Sequence, residues 1–297
     1  MIYAFTAFII LTGSRIRAKI KQKGVFAAME PKYSLVHLTG ISTPPPEFIR
    51  IAAAAGYDCV SLRTISMGMP GEVPHDLTRP ELLRETRRAL EETGIIFNDT
   101  ENTRIVEGTD VKDYEPHLAA AAELGVRHIL GNIWTPDRSY YTDQFGKLCE
   151  LAARYGLDIN IEFVTWASVT NLRQTVELLK AVNMPNAGIM IDALHFYRSR
   201  VQLSELDGLP PEWFRFMHLC DCEEEIPTER EKLVHTGRAE RLYPGEGCID
   251  LKSLVQRLPA DIVRGIEVPH LARLEQYGLE EHARRALQWA KTYFAAE

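Results

Sequence analysis

Eight short apolar runs, each followed by a stretch of helical or turn character, constrain this chain more than any other feature. The runs are Tyr33–Leu38, Asp58–Leu62, Ile95–Asn98, Arg127–Gly131, Leu157–Glu162, Ala187–Asp192, Phe216–Leu219 and Val263–Glu267. Between them the spacing of apolar residues predicts helices over Pro46–Ala55, Glu81–Glu92, Tyr114–Leu124, Thr142–Tyr155, Val169–Val182, Leu251–Leu258 and Leu279–Phe294. Gly56, Gly94, Gly125 and Gly156 close four of these helices, in the position where a left-handed residue commonly ends a helix. The connection after the sixth run is short and carries Leu209-Pro210-Pro211, which predicts an abbreviated helix. The seventh connection, Asp221 to Gly247, is long and charged, as functional loops often are.

Strand–helix alternation without an internal linker predicts a parallel sheet, closed into a single (β/α)8 TIM barrel. The chain has 297 residues, which fits one barrel of about 250 residues as well as two small domains. An open doubly wound sheet is the alternative. It would usually carry a glycine-rich phosphate turn after its first strand, where this chain reads His37-Leu38-Thr39-Gly40. Hydrophobic residues at 45% and charged residues at 25% exclude a disordered or low-complexity chain. A net charge of −7 with no long basic run argues against general nucleic-acid binding, while leaving room for a local basic pocket. Cys59, Cys149, Cys220, Cys222 and Cys248 form no Cys-x-x-Cys and suggest no disulfide framework, so a reducing, cytoplasmic location is expected. Cys220 and Cys222 are read as two small buried thiols on one face of a strand.

Residues 1–30 are set apart as an extension outside the barrel, which takes residues 31–297. Ile2 to Leu11 is nearly all apolar, and at about 10 residues it is far short of the ~20 that span a bilayer. Positive charge (Arg15, Arg17, Lys19, Lys21, Lys23) follows this run instead of preceding it as in a secretory signal. Three readings stand: an upstream extension with Met29 as the functional start, a packing or oligomerisation arm, and a targeting signal.

Right-handed crossovers bring every strand's carboxyl end to one rim, where barrel active sites lie. Four consecutive runs deliver Glu162, Asp192, His218 and Glu267 to that rim. A lone carboxylate there also serves as a helix cap, and a lone buried histidine usually has its partners within a core. Four such residues on successive strands instead form a hard, oxygen-rich ligand set suited to one Mn²⁺ or Mg²⁺ ion and tolerant of Zn²⁺ or Co²⁺.

This ligand order resembles that of the xylose isomerase-like TIM-barrel superfamily, and the resemblance covers about Tyr33 to Phe294. That superfamily includes sugar phosphate isomerases and epimerases, ketose 3-epimerases, inosose isomerases and dehydratases, and the endonuclease IV group. The resemblance implies that Glu162, Asp192, His218 and Glu267 hold one divalent metal and that Glu162 and Glu267 double as the catalytic acid–base pair. It also implies that His195, three residues after Asp192, contacts substrate. Departures are equally plain. Ser168 stands where ketose epimerases carry a second glutamate, and Glu224 where they carry an arginine. Too few rim histidines (His37, His195, His218, His75, His270) are present for a three-metal endonuclease cluster.

Such a site implies an isomerase or epimerase that acts on a small sugar, sugar phosphate or polyol ketone through a metal-stabilised enediolate. A dehydratase of the inosose or 3-dehydroshikimate type is the alternative within enzymes, and a non-catalytic metabolite-binding barrel the alternative outside them. His37 and Arg63 either touch substrate oxygens or pair locally; His195 and Arg198 are expected to face the pocket. Arg238 and Arg241 either bind a carboxylate or phosphate or belong to a solvated loop. Gly245-x-Gly247 by itself signals a turn. Trp134 and Trp166 either wall a sugar ring or pack beneath the loops. A small hydroxy-carbonyl substrate is the expected partner, with no nucleic acid or membrane and, by analogy with the family, a homo-oligomer.

Overall fold

In a computed structural model, residues 30–67 and 73–296 are described. The expectations for the apolar arm, the basic stretch and Met29 lie outside the described residues. A compact unit begins at Pro31.

Eight parallel strands close into a barrel in chain order: β1 (Tyr33–Val36), β2 (Cys59–Arg63), β3 (Ile96–Ile105), β4 (His128–Ile133), β5 (Asp158–Glu162), β6 (Ala187–Asp192), β7 (Phe214–Leu219) and β8 (Val263–Ile266). Around them lie α1 (Pro45–Ala55), α2 (Pro80–Thr93), α3 (Glu115–Glu123), α4 (Arg138–Ala153), α5 (Leu172–Val182), α6 (Ala193–Arg198), α7 (Arg230–Ala239), α8 (Leu251–Val255) and α9 (Leu271–Ala295). The expected (β/α)8 architecture is therefore present. Several elements differ from expectation: β4 runs on to Ile133 and α9 starts at Leu271, and two differ more. The third strand runs seven residues past Asn98 to Ile105, because the polar run from Asn98 to Arg104 hides its strand character. The long seventh connection contains α7, whose few apolar residues give little helical signal. The sixth connection is abbreviated as expected, to the six residues of α6 and short turns of 3-10 helix.

Period-two alternation along each strand sorts the side chains. Ile129, Ile159, Ile161, Ile189, Ile191 and Leu219 pack outward into the layer shared with the helices. Leu130, Met190 and Phe216 form a separate apolar plug inside the barrel. Two residues further along the same inward rows stand Asn132, Asp192 and His218, so the plug is the floor on which the rim site rests.

Two buried histidines lock this frame. His37, just after β1, accepts the Arg63 N–H at Nδ1 (3.0 Å) and therefore donates from Nε2 to the Thr43 carbonyl (2.8 Å). His282 on α9 bonds the Tyr243 hydroxyl and the Val268 carbonyl, each at 2.8 Å. Burial pushes His37 down to about 3 and His282 down to about 4. Unfolded imidazoles take up a proton near pH 6.5, so stability is full above that pH and is lost as the pH falls toward the folded values. Each is expected to cost about 2 kcal/mol by pH 5. In denaturant unfolding at pH 7 and pH 5, His37→Gln should lose about 2 kcal/mol less on acidification than the unaltered chain. Equal losses would refute this reading of His37.

Candidate metal centre and active site

The last four strands bring their terminal side chains together. Glu162 closes β5, Asp192 closes β6, His218 is the penultimate residue of β7, and Glu267 follows β8. Strand register sets this up: Asp192 pairs with His218, and His218 with Gly265. A Cβ on Gly265 would stand 2.8 Å from the His218 ring, so only glycine leaves the imidazole its place. Ligand atoms of Glu162, Asp192 and His218 all lie within 4.8 Å of one another. Glu267 Oε1 is 3.6 Å from His218 Nδ1.

All four are buried, with His218 and Asp192 each 1% exposed. Both ring nitrogens of His218 lack a hydrogen-bond partner among the described residues, which is costly for a buried polar group. Capping at Asp192 occupies only one of its carboxylate oxygens. Its Oδ1 accepts the His195 N–H at the start of α6 (3.0 Å), while Oδ2 turns into the site. Buried Arg241 fills one side: a single Nη1 lies 2.7 Å from both Asp192 Oδ2 and Glu267 Oε2. Three carboxylates against one guanidinium and one imidazole leave room for a further cation. The orphaned imidazole and the oxygen-rich donor set both fit a divalent ion held by Glu162, Asp192, His218 and Glu267.

The electrostatics of the two glutamates differ. Burial, reinforced by Asp192 and Glu267, pushes Glu162 well above the usual carboxylate range. Burial acts the same way on Glu267, but Arg241 and His218 outweigh it and hold that carboxyl far below the range. Burial opposes charge on His218, yet Glu267 and the neighbouring aspartates carry it up to about 10. Asn132 donates from Nδ2 to Glu162 Oε2 (2.8 Å), and its Oδ1 accepts from Trp134 Nε1 (3.1 Å) and Asn102 Nδ2 (2.8 Å). The orientation of Glu162 is thus fixed through a chain of amides.

Above this floor a narrow inner cavity is lined by Glu162, Glu267, His195, Arg63, Arg238 and Arg241 with Trp134 and Trp166. It shares Trp134, Trp166 and Arg238 with an outer cavity of about 810 Å³. The two tryptophans are therefore a wall of the cavity. His195 accepts the Thr165 N–H at Nδ1 (3.3 Å), which leaves its Nε2–H as a donor, and its ring meets the edge of Trp166. Gly237 on α7 admits that indole: a Cβ there would sit 2.6 Å from Trp166. Arg63 reaches the cavity paired with Glu101 (2.6 Å).

Two expected substrate residues are not brought to the cavity. Both ring nitrogens of His37 bond backbone groups, and its ring lies between Phe48 and His75. Arg198 is buried under α7, with its Nη1 donating to the Leu233 carbonyl (3.2 Å). Conversely, Glu101, Asn132 and Arg104 line the cavities without having been singled out. Ending the third strand at Asn98 and the fourth at Gly131 left all three in presumed loops, whereas two-residue alternation from Leu130 reaches Asn132.

The Gly245-x-Gly247 turn is structural. Buried Asp221 accepts the N–H groups of Cys222, Gly245 and Ile249 at 2.9–3.0 Å, and a Cβ on Gly247 would strike Asp221. Cys220 and Cys222 are buried free thiols, as expected. No helix of the described residues is long and apolar enough to cross a membrane.

Comparison with known proteins agrees with this fold. The sequence pattern of the xylose isomerase-like TIM barrel family matches residues 49–293. Inosose isomerase of Bacillus subtilis is 24% identical over 191 residues, covering 61% of this chain and 66% of that protein. A 3-dehydroshikimate dehydratase of Pseudomonas putida is 24% identical over 250 residues, 80% of this chain but only 37% of that protein. The chain thus spans just under two thirds of the first relative and little more than a third of the second. A crystal structure of an IolI protein with a bound zinc atom superposes with a TM-score of 0.72 at 18% identity, covering 89% of this chain and 96% of that one.

Proposed function

Because the chain belongs to the xylose isomerase-like TIM barrel family, we propose that it is a divalent-metal-dependent isomerase or epimerase of a small hydroxy-ketone. The observation that carries this is the convergence of Glu162, Asp192 and His218, with Glu267 3.6 Å from an imidazole that has no hydrogen-bond partner among the described residues, at the floor of a cavity walled by tryptophan. A divalent ion held by these four would supply a Lewis acid for the substrate carbonyl.

The chain's own residues supply the rest. Glu162, aimed by Asn132, takes the proton from the carbon next to the carbonyl. Glu267 lies beside His218 and Arg241, and a proton returned from its side gives the epimer or the isomer. His195 offers its Nε2–H to a substrate oxygen. Trp134 and Trp166 exclude water from one side of the cavity.

A dehydratase is the second reading, favoured by the relative whose match extends over 80% of this chain. The same proton abstraction then ends in loss of a β-hydroxyl. The experiment is metal analysis of the purified chain followed by a screen of ketoses, inososes and keto acids in deuterated solvent. Metal-dependent deuterium incorporation at the carbon next to the carbonyl is expected, and a new ultraviolet-absorbing enone would mark dehydration. A chain that binds no divalent ion and exchanges no substrate proton across the screen would overturn the proposal.

A further inference from the structure

The mouth of the cavity carries a charge pattern that a neutral sugar does not explain. Arg238 on α7 lines both the inner and the outer cavity. It makes no hydrogen bond or ion pair with any described residue, although every other arginine lining these two cavities is anchored. Arg63 is paired with Glu101, and Arg241 bridges Asp192 and Glu267. Arg230 donates to the Trp166 carbonyl (2.7 Å). Arg104 donates to the Met67 carbonyl (2.7 Å) and lies over the Trp134 ring at 4.8 Å. Burial and the neighbouring Arg63, Arg104 and Arg241 all act to depress the charge on Arg238. Three arginines (Arg104, Arg230, Arg238) face one glutamate (Glu231) around the outer cavity, in a chain whose net charge is −7. A half-buried guanidinium set among other cations is unfavourable unless an anion completes it.

We infer that the substrate carries an anionic group, a carboxylate or a phosphate, which Arg238 grips with Arg104 at the cavity mouth while its hydroxy-ketone end reaches the four-ligand centre. This rests on the proposed isomerase or epimerase reading and narrows its substrate class. The planar guanidinium fork matches both groups by paired N–H donors. Arg104, aligned by Met67 and the indole, is positioned as the second donor. Trp134 and Trp166 extend from the mouth to the floor, so one small molecule meets both ends.

The test uses the full metal-loaded chain and three probes: inorganic phosphate, gluconate and the neutral polyol glucitol. Quenching of tryptophan fluorescence reports occupancy, because Trp134 and Trp166 wall the cavity. Binding of phosphate or gluconate is expected, and which of them binds more tightly identifies the source of the anion. Arg238→Gln should weaken that binding about tenfold to a hundredfold, with Arg238→Lys recovering only part of it. Among the described residues Arg238 has no hydrogen-bond or ion-pair partner and sits among other cations, so its replacement should not lower the melting temperature of the anion-free chain. Anion binding that is equal in Arg238→Gln, or glucitol binding as tight as gluconate, would overturn the inference. Metal content and proton exchange on neutral ketoses, measured on the same samples, separate the two claims. Exchange that persists on neutral ketoses while Arg238→Gln leaves anion binding unchanged refutes the anion site alone. Anion binding lost in Arg238→Gln, in a chain without metal or exchange, refutes the enzymatic reading alone.

Discussion

Glu162→Gln is expected to lower turnover by about 10²–10⁴-fold, the range for loss of a positioned general base, and to raise the melting temperature of the metal-free chain. The two effects have one cause. Glu162 is buried beside Asp192 and Glu267, and only Arg241 and His218 offset the three carboxylates. A neutral amide of the same shape relieves that crowding, while it can neither take a proton nor ligate as a carboxylate does. Thermal melts with and without divalent ion, beside deuterium exchange, separate these contributions. Added metal should stabilise the unaltered chain more than the variant. Turnover within tenfold of the unaltered chain would exclude Glu162 as the base.

The largest stability effect is expected at Arg241. Its guanidinium is buried between Asp192 and Glu267, with Nε also donating to the Gly237 carbonyl (2.7 Å). Burial opposes that charge, but the two carboxylates outweigh it and hold Arg241 firmly protonated. Arg241→Met keeps most of the volume and leaves two buried carboxylates without their counter-charge. Breaking a buried pair in this way costs about 3–5 kcal/mol. For a domain of this size that is a fall of about 6–20 °C in the melting temperature. Divalent metal should restore part of the loss, since it supplies positive charge at the same carboxylates. Arg241→Lys, which keeps a charge but not the planar fork, should fall between. A loss below about 1 kcal/mol would show that Asp192 and Glu267 do not depend on the guanidinium.

Arg241 also shows what a one-dimensional reading misses. The position six residues after His218, where ketose epimerases carry arginine, is Glu224 here. Arg241 comes from the far end of the seventh connection and reaches the carboxylates because α7 and the Asp221-pinned turn fold that segment back over the rim. No periodicity encodes that return. It depends on Asp221 collecting three backbone N–H groups from residues up to 28 positions away.

Alternation of apolar runs with helical stretches determined the barrel and its strand order, because parallel strands joined by right-handed crossovers have few other ways to bury both faces. It also determined that Glu162, Asp192, His218 and Glu267 reach one rim, because each stands at or beside the carboxyl end of a strand whose inward row is set by a two-residue period. Tertiary structure alone decided which polar residues share the cavity. His37 and Arg198 are drawn into hydrogen bonds with backbone groups, whereas Asn132, Glu101 and Arg104 reach the cavity on strands longer than their apolar runs. The physical reason is one of range. Periodicity reports the face a side chain takes on its own element, and a polar group's final partner is set by whatever distant backbone or charge arrives beside it when the barrel closes.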